Sequence, residues 1–578
     1  MAIVRVAGAI AREDHPEEHQ EGKSSPDRTA SHRQGSLGVN EEVTYHGAVQ
    51  AANGRAVRPS PGVFWFRLGG IPPPVASGDE TMAARTHLSK TRYLAGLQCE
   101  KRLWLACHEA KLATPADAAQ QAIFDTGHEI GRCAHRLFPG GVLVDEPIHR
   151  FEAALAHTQR LLARPGVPAI FEAAFLHDGV RMHADALERL PDGAWGLREV
   201  KSSTSVSAVH LEDVAIQAFV LRGCGLLVPS IEIIHVNTGY VRGEGEIHWE
   251  RFFRRVDVTE RVETILGDVP ARVAAMHDVL ALAEAPGIDP SPHCWTPYGC
   301  PFWEHCTKAL PPDWIWHLPG LRADRFRELR LKEIEHIADI PDEFPLSPLQ
   351  VRVRQVLRSG APFVSAALAD TLATLGPPCG YLDFETMNPA IPIYPGTRPY
   401  ERIPFQWSLH RRDAAGTTAH DAFLADDHAD PRRAFAEALI HAAGNSSDPL
   451  LVYSSAEATV IKGLGSVLPD LEEPIARLRG RLRDVLPVVR ENVYETGFGR
   501  TFSLKAVAPS LSPGFGYGDL GGVVEGLMAS AAFERIARGE APPAEEARLR
   551  QELLDYCARD TQALVEVHAA LRRLAART

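Results

Sequence analysis

The stretch VRMHADALERL, Pro191-Asp192-Gly193, AWGLREVKSS constrains the chain more than any other, because it reads as one β-hairpin closed by a three-residue loop. Pairing Leu190 with Ala194 sets Asp185 opposite Glu199 and His183 opposite Lys201. Facing residues on paired strands lie about 4.5–5.5 Å apart at Cβ, close enough for two carboxylates to share one metal ion. Period-two alternation turns Lys201 to the face of Glu199. A bulge in the turn would shift this register by one and undo the alignment.

Two carboxylates and a lysine suit phosphodiester hydrolysis. The acids hold Mg²⁺ or Mn²⁺, and the ammonium stabilises the transition state or orients the water. Here the chain resembles the PD-(D/E)xK nucleases of the RecB type, whose core motif is matched by Asp185 and Glu199-Val200-Lys201. The resemblance implies a restriction-endonuclease-like α/β domain. It implies metal ligation by Asp185, Glu199 and His135, the last from GHEIGRCAHRLF, and catalytic roles for Lys201 and for Gln217 on the next helix. Glu172 stands where an earlier strand carries another acid, and Leu221 replaces the tyrosine that follows the glutamine by four residues. An acid and a lysine alone would read as a solvated face. The order His135, Asp185, Gln217 favours the nuclease.

Cys294, Cys300 and Cys306 follow one another with five residues between each pair, and Cys99 lies far upstream where patterned sequence begins. This set resembles CRISPR-associated RecB-type nucleases and AddB. The resemblance implies a [4Fe-4S] cluster held by one N-terminal and three C-terminal thiolates, stapling the two ends of the domain. Those families space the first two C-terminal cysteines as C-x2-C, which this chain does not. Structural Zn²⁺ is the alternative, since four thiolates also satisfy a tetrahedral ion and His293 or His305 can substitute. Cys107, Cys133, Cys224, Cys379 and Cys557 read as buried small hydrophobes.

In CGYLDFETMNP, Asp383 and Glu385 share one face of a strand while Leu382 and Phe384 share the other. Two acids on a core strand call for a cation. IPFQWSLH at 403–410 reads as the next, antiparallel strand, and LLDYCARDTQALVEVHAAL puts Tyr556 and Asp560 at i and i+4 on a helix. These segments resemble the first and third motifs of the DnaQ-like 3′→5′ exonucleases of RNase H-like fold. The resemblance implies Asp383, Glu385 and Asp560 as Mg²⁺ or Mn²⁺ ligands, with Tyr556 positioning water. Glu457 stands at the second motif, which normally has Asp, with Ser454 where Asn is common; Lys505 in FSLKAVAPSL is a candidate phosphate contact.

A chain of 578 residues is too long for one core. The expected division is residues 1–85 as a disordered or misassigned extension with Met82 as an alternative start, 86–310 as the RecB-type nuclease, 311–376 as a helical connector, and 377–578 as the exonuclease. A net charge of −13 argues against coating nucleic acid by charge alone but is compatible with carboxylate-rich metal sites. The absence of a long apolar run or signal-like opening predicts a soluble, cytoplasmic protein that meets no membrane. No GxxxxGK[ST] P-loop occurs, so any unwinding belongs to a separate helicase partner. The expected activity is metal-dependent hydrolysis of nucleic acid, DNA foremost, in repair, recombination or defence. The alternatives are a nucleic-acid-binding scaffold with one decayed site and an RNA-processing exonuclease.

Overall fold

The computed structural model describes residues 87–426 and 428–577, which belong to one compact unit. The expectation for residues 1–85 lies outside the described residues. The architecture is mixed α/β. Its first sheet comprises β1 (Leu88–Ser89), β2 (Val142–Leu143), β3 (Ala169–His177), β4 (Val180–Arg189), β5 (Trp195–Lys201), β6 (Ser230–Val236) and β7 (Phe253–Asp257). The order is β2-β3-β4-β5-β6-β7, with β1 parallel to β4.

The hairpin takes the expected register. Leu190 N–H donates to the Ala194 carbonyl at 2.8 Å, Asp192 accepts from Ala194 N–H at 3.0 Å, and Gly193 supplies the φ of +88° that closes the loop. The β4–β5 ladder runs from Arg189↔Trp195 to Ala186↔Arg198 and then parts. Val200 N–H donates to the Asp185 carboxylate at 2.9 Å, and β1 pairs with β4 at Val180 and Arg181. The expected facing of His183 and Lys201 is therefore not realised. His183 instead packs edge-on to Phe151 and bonds the Glu172 carbonyl at 3.2 Å, while Lys201 pairs across β6 with His235.

The second sheet contains β9 (Cys379–Met387), β10 (Ile403–Arg412), β11 (Thr418–Leu424), β12 (Leu450–Val452) and β13 (Leu482–Asp484), whereas β8 (Phe363–Val364) and β14 (Val493–Tyr494) form a separate ribbon. The order is β11-β10-β9-β12-β13; β9, β10 and β11 are antiparallel neighbours, while β12 and β13 run parallel to β9. Leu382 and Phe384 pack with Trp407, Leu409 and Phe435 on one face, as their alternation predicts. The other face meets the helix Pro543–Ala575, where the Tyr381 hydroxyl bonds His568 at 3.0 Å and Gln406 donates to the Leu553 carbonyl at 2.8 Å.

Residues 311–376 contain the helices Ala323–Leu331, Pro348–Ser359 and Leu368–Leu372, but they do not stand apart as a connector. Trp314, Phe326, Leu329 and Val353 share a core with Tyr381, Val485 and Leu564, so this segment completes the second module. The two modules also touch. Ala390 and Ile391 enter the core formed by Phe138, Phe171 and Ile234, Arg538 pairs with Glu129 at 2.9 Å, and the Tyr400 hydroxyl donates to the Ser202 carbonyl. Among the described residues no helix is long and apolar enough to cross a membrane.

Candidate active sites and a cysteine centre

The parting of β4 from β5 opens a notch walled by acids and lysines. Glu199, 1% exposed, accepts from Lys201 at 2.6 Å and from Lys90 at 3.0 Å through Oε1, and from Gln217 at 2.7 Å through Oε2. Lys201 also pairs with Asp213, and Gln217 donates to that acid at 3.3 Å. Burial pushes the Glu199 carboxyl up, but the two ammonium groups outweigh it and hold the group ionised far below its ordinary range. Asp185 goes the other way, raised by burial and then by Glu199, so Glu199 carries the charge of the pair. Glu172 faces the same acids, and burial followed by repulsion from Asp185 lifts it to about 7.

Asp185, Glu199, Lys201 and Gln217 thus come together as the motif predicts. The His135 ring stacks on Phe171 at 3.9 Å and 10° and, among the described residues, makes no bond to Asp185 or Glu199. Burial lowers its pKa, followed by the Arg132 charge, so the imidazole is neutral. Leu221 is fully buried in the core of the first module. Lys90 and Asp213 were not read from the sequence. Asp213 had a signal, since it precedes Gln217 by four positions on one helix face. Lys90 had none, because it enters from the start of the helix Lys90–Gln98, far away in the chain.

Cys99, at the joint between the helices Lys90–Gln98 and Glu100–His108, meets Cys294, Cys300 and Cys306 closely enough for their charges to interact. Cys300 N–H donates to the Cys294 carbonyl at 2.8 Å, which folds the C-terminal loop back on itself. Burial raises Cys294 to about 11 and also raises Cys300 and Cys306. Buried thiols so raised need a cation to ionise. Among the described residues, no three of these sulfurs lie within 4.8 Å of one another.

In the second module, Asp383 and Glu385 project from β9 toward Tyr556, Cys557 and Asp560 on the C-terminal helix. A carboxylate oxygen of each acid and the Cys557 sulfur lie within 4.8 Å of one another. Glu457, in the first turn of the helix Ala456–Val467 and bonded by Ser454 at 3.0 Å, is near enough to raise both Asp383 and Glu385. Burial and then repulsion from Asp560 push Asp383 and Glu385 well above the usual carboxylate range, and burial, followed by Asp484, lifts Glu457 to about 7. Asp560 is raised by burial against the pull of Tyr517, Lys505 and Tyr556, and its Oδ1 is buried without a hydrogen-bond partner. Lys505 lies 4.7 Å from the Tyr556 ring centre and 5.6 Å from that of Tyr517. Cys557, expected as a core hydrophobe, donates to Asp383 at 3.6 Å and so belongs to the site. Its spacing of three from Asp560 was a usable signal, whereas Tyr517 comes from a glycine-rich loop that offers none.

Residues 380–503 match a family described as a domain of unknown function, DUF2779. The match spans Asp383, Glu385 and Glu457 and ends before Lys505, Tyr556 and Asp560. No curated protein matches the chain.

Proposed function

We propose that this protein is a metal-dependent nuclease with two phosphodiester-hydrolysing sites, a RecB-type PD-(D/E)xK site in the first module and an RNase H-like, DnaQ-type 3′→5′ exonuclease site in the second. The observation that carries the reading is the convergence of Asp383, Glu385, Glu457 and Asp560 from three elements distant in sequence. Buried Glu385, Glu457 and Asp560 and half-buried Asp383 repel one another, and Asp560 Oδ1 has no hydrogen-bond partner. Such a set fits Mg²⁺ or Mn²⁺, hard cations that prefer oxygen ligands. A bound ion supplies an activated water and neutralises charge on the scissile phosphate. The Tyr556 hydroxyl, held near Asp560, orients that water, and Lys505 faces the phosphate. In the first module Asp185 and Glu199 take the metal-holding role, Gln217 fixes Glu199, and Lys201 offers positive charge to the transition state.

The test is hydrolysis of labelled single- and double-stranded DNA and RNA carrying blocked 5′ or 3′ ends. Cleavage is expected with Mg²⁺ or Mn²⁺ and should stop on adding EDTA. Activity that survives exhaustive chelation would defeat both site assignments. The 3′-blocked substrates report the first site alone, and the DNA and RNA arms decide the polymer. Glu457 lies within the acid cluster, which favours a working exonuclease over a decayed scaffold.

For the cysteine quartet we favour [4Fe-4S] over zinc. Cys99 from the start of the module and Cys294, Cys300 and Cys306 from its end supply four thiolates, the ligation such clusters use. Anaerobically purified protein is expected to be brown, with iron and acid-labile sulfide. Cys300→Ser should release the metal and lower the melting temperature of the first module. Colourless protein with stoichiometric zinc and no iron would reverse the assignment.

A further inference from the structure

The first site contains a cation of its own. Asp185, Glu199 and Asp213, with Glu172 beside them, face only two ammonium groups, Lys90 and Lys201, so the acids outnumber the cations. The oxygens are not equally committed. Asp185 Oδ2 accepts from Val200 N–H, and Glu199 Oε2 accepts from Gln217. Of the remaining two, Asp185 Oδ1 accepts from Lys90 at 3.3 Å, and Glu199 Oε1 accepts from Lys201 at 2.6 Å as well as from Lys90 at 3.0 Å, so Lys90 Nζ is the atom that bridges the pair. These are the two oxygens a shared divalent ion would take, at about 2.0–2.1 Å for Mg²⁺. The ammonium and the metal cannot bind them together.

Local structure holds Lys90 there. Leu88 is fully buried and pairs with Val180, and Ser89 caps the following helix by accepting from Arg92 N–H at 3.2 Å. Lys90 is the first residue of that helix and has no other carboxylate partner among the described residues. Asp213 is already served by Lys201 and Gln217.

We propose that Lys90 occupies the metal seat of the first site, that metal entry displaces it, and that the displaced ammonium then faces the phosphate beside Lys201. This rests on the nuclease reading of that site. The lysine keeps Asp185 and Glu199 from repelling each other while no metal is bound. After exchange, two ammonium groups and a divalent ion offset the acids of the site, Glu172 included, which the two ammonium groups alone do not, so the site no longer repels an anionic backbone. The flexible stem of a lysine permits the move, which a planar, bidentate arginine would resist.

The experiment is a Mn²⁺ titration of the full-length protein followed by electron paramagnetic resonance. The first site is identified as the binding component lost in Asp185→Asn. Lys90→Met, which keeps the length but removes the charge, should tighten that component by about tenfold or more, because its competitor is gone. The same variant should cleave a 3′-blocked substrate more slowly at saturating Mn²⁺. Lys90→Gln serves if the methionine variant does not fold. A folded variant that binds Mn²⁺ no more tightly than the parent overturns the proposal. If Asp185→Asn loses no component at all, the metal-site reading falls instead, and the two failures are distinguishable.

Discussion

Replacing Asp383 by Asn is expected to remove 3′→5′ trimming while making the metal-free protein more stable. Asp383, Glu385 and Asp560 all have folded-state pKa values raised by burial, and Glu457 is lifted to about 7. A raised carboxyl binds more protons in the native state than in the unfolded one. Its stabilising contribution is therefore complete below the unfolded value and is lost as pH climbs through the folded value. For Glu457 that loss runs up to about 7, where it is nearly complete, and the higher values of Asp383 and Glu385 carry it further. Metal-free protein should accordingly show a second-module transition that melts lower at about pH 8 than at about pH 6, and Mg²⁺ should flatten this slope by supplying the missing charge. Asp383→Asn removes one of the repelling charges, so its melting curve should lie higher and vary less with pH. The amide is a poorer metal ligand, and losing several kcal/mol of transition-state stabilisation corresponds to about 10³-fold or more in rate. The pair of readouts is thermal denaturation across pH and trimming of a 5′-labelled strand. A variant that is less stable at every pH would show that Asp383 is held by its neighbours rather than opposed by them.

The acids were legible in the sequence because strand and helix periods are strict. A turn with Pro191, Asp192 and Gly193 fixed which residues of β4 and β5 would meet, and Tyr556 and Asp560 announced themselves by a spacing of four. What periodicity does not carry is the path of a strand once its ladder ends. His183 was placed opposite Lys201 by extending a register that stops at Ala186↔Arg198, where β1 takes over the edge. Lys90 is invisible for the same reason, since its approach depends on a two-residue strand that no pattern announces. His135 matches its motif in sequence order, yet its ring stacks on Phe171. The segment 311–376 reads as a connector because it is largely helical and lies between two α/β modules. Its apolar residues complete the core behind β9, and which core an apolar residue joins is a tertiary fact.

Lys201→Ala is expected to slow the first-site reaction by about 10²–10³-fold. Trimming at the second site should change by less than about twofold, since distant sites with no shared residue behave additively. The lysine donates to Glu199 at 2.6 Å and pairs with Asp213, whereas Gln217 independently bonds both acids, so the notch should keep its shape without the ammonium. Gln217 still fixes Glu199 and Val200 N–H still fixes Asp185, so metal binding should survive. The sites share no residue, but they are not mechanically separate. The segment that follows the Asp383 and Glu385 strand delivers Tyr400 to the carbonyl of Ser202, the neighbour of Lys201. Any crosstalk has this contact, the Arg538–Glu129 pair and the packing of Ala390 and Ile391 as its routes, and removing a side chain that points into the notch leaves all three in place. Rates on 3′-blocked and 5′-labelled substrates measure the two reactions separately. If Lys201→Ala stopped trimming as well, or if Asp383→Asn abolished every product on every substrate, only one hydrolytic centre would remain and the other module would be its nucleic-acid platform.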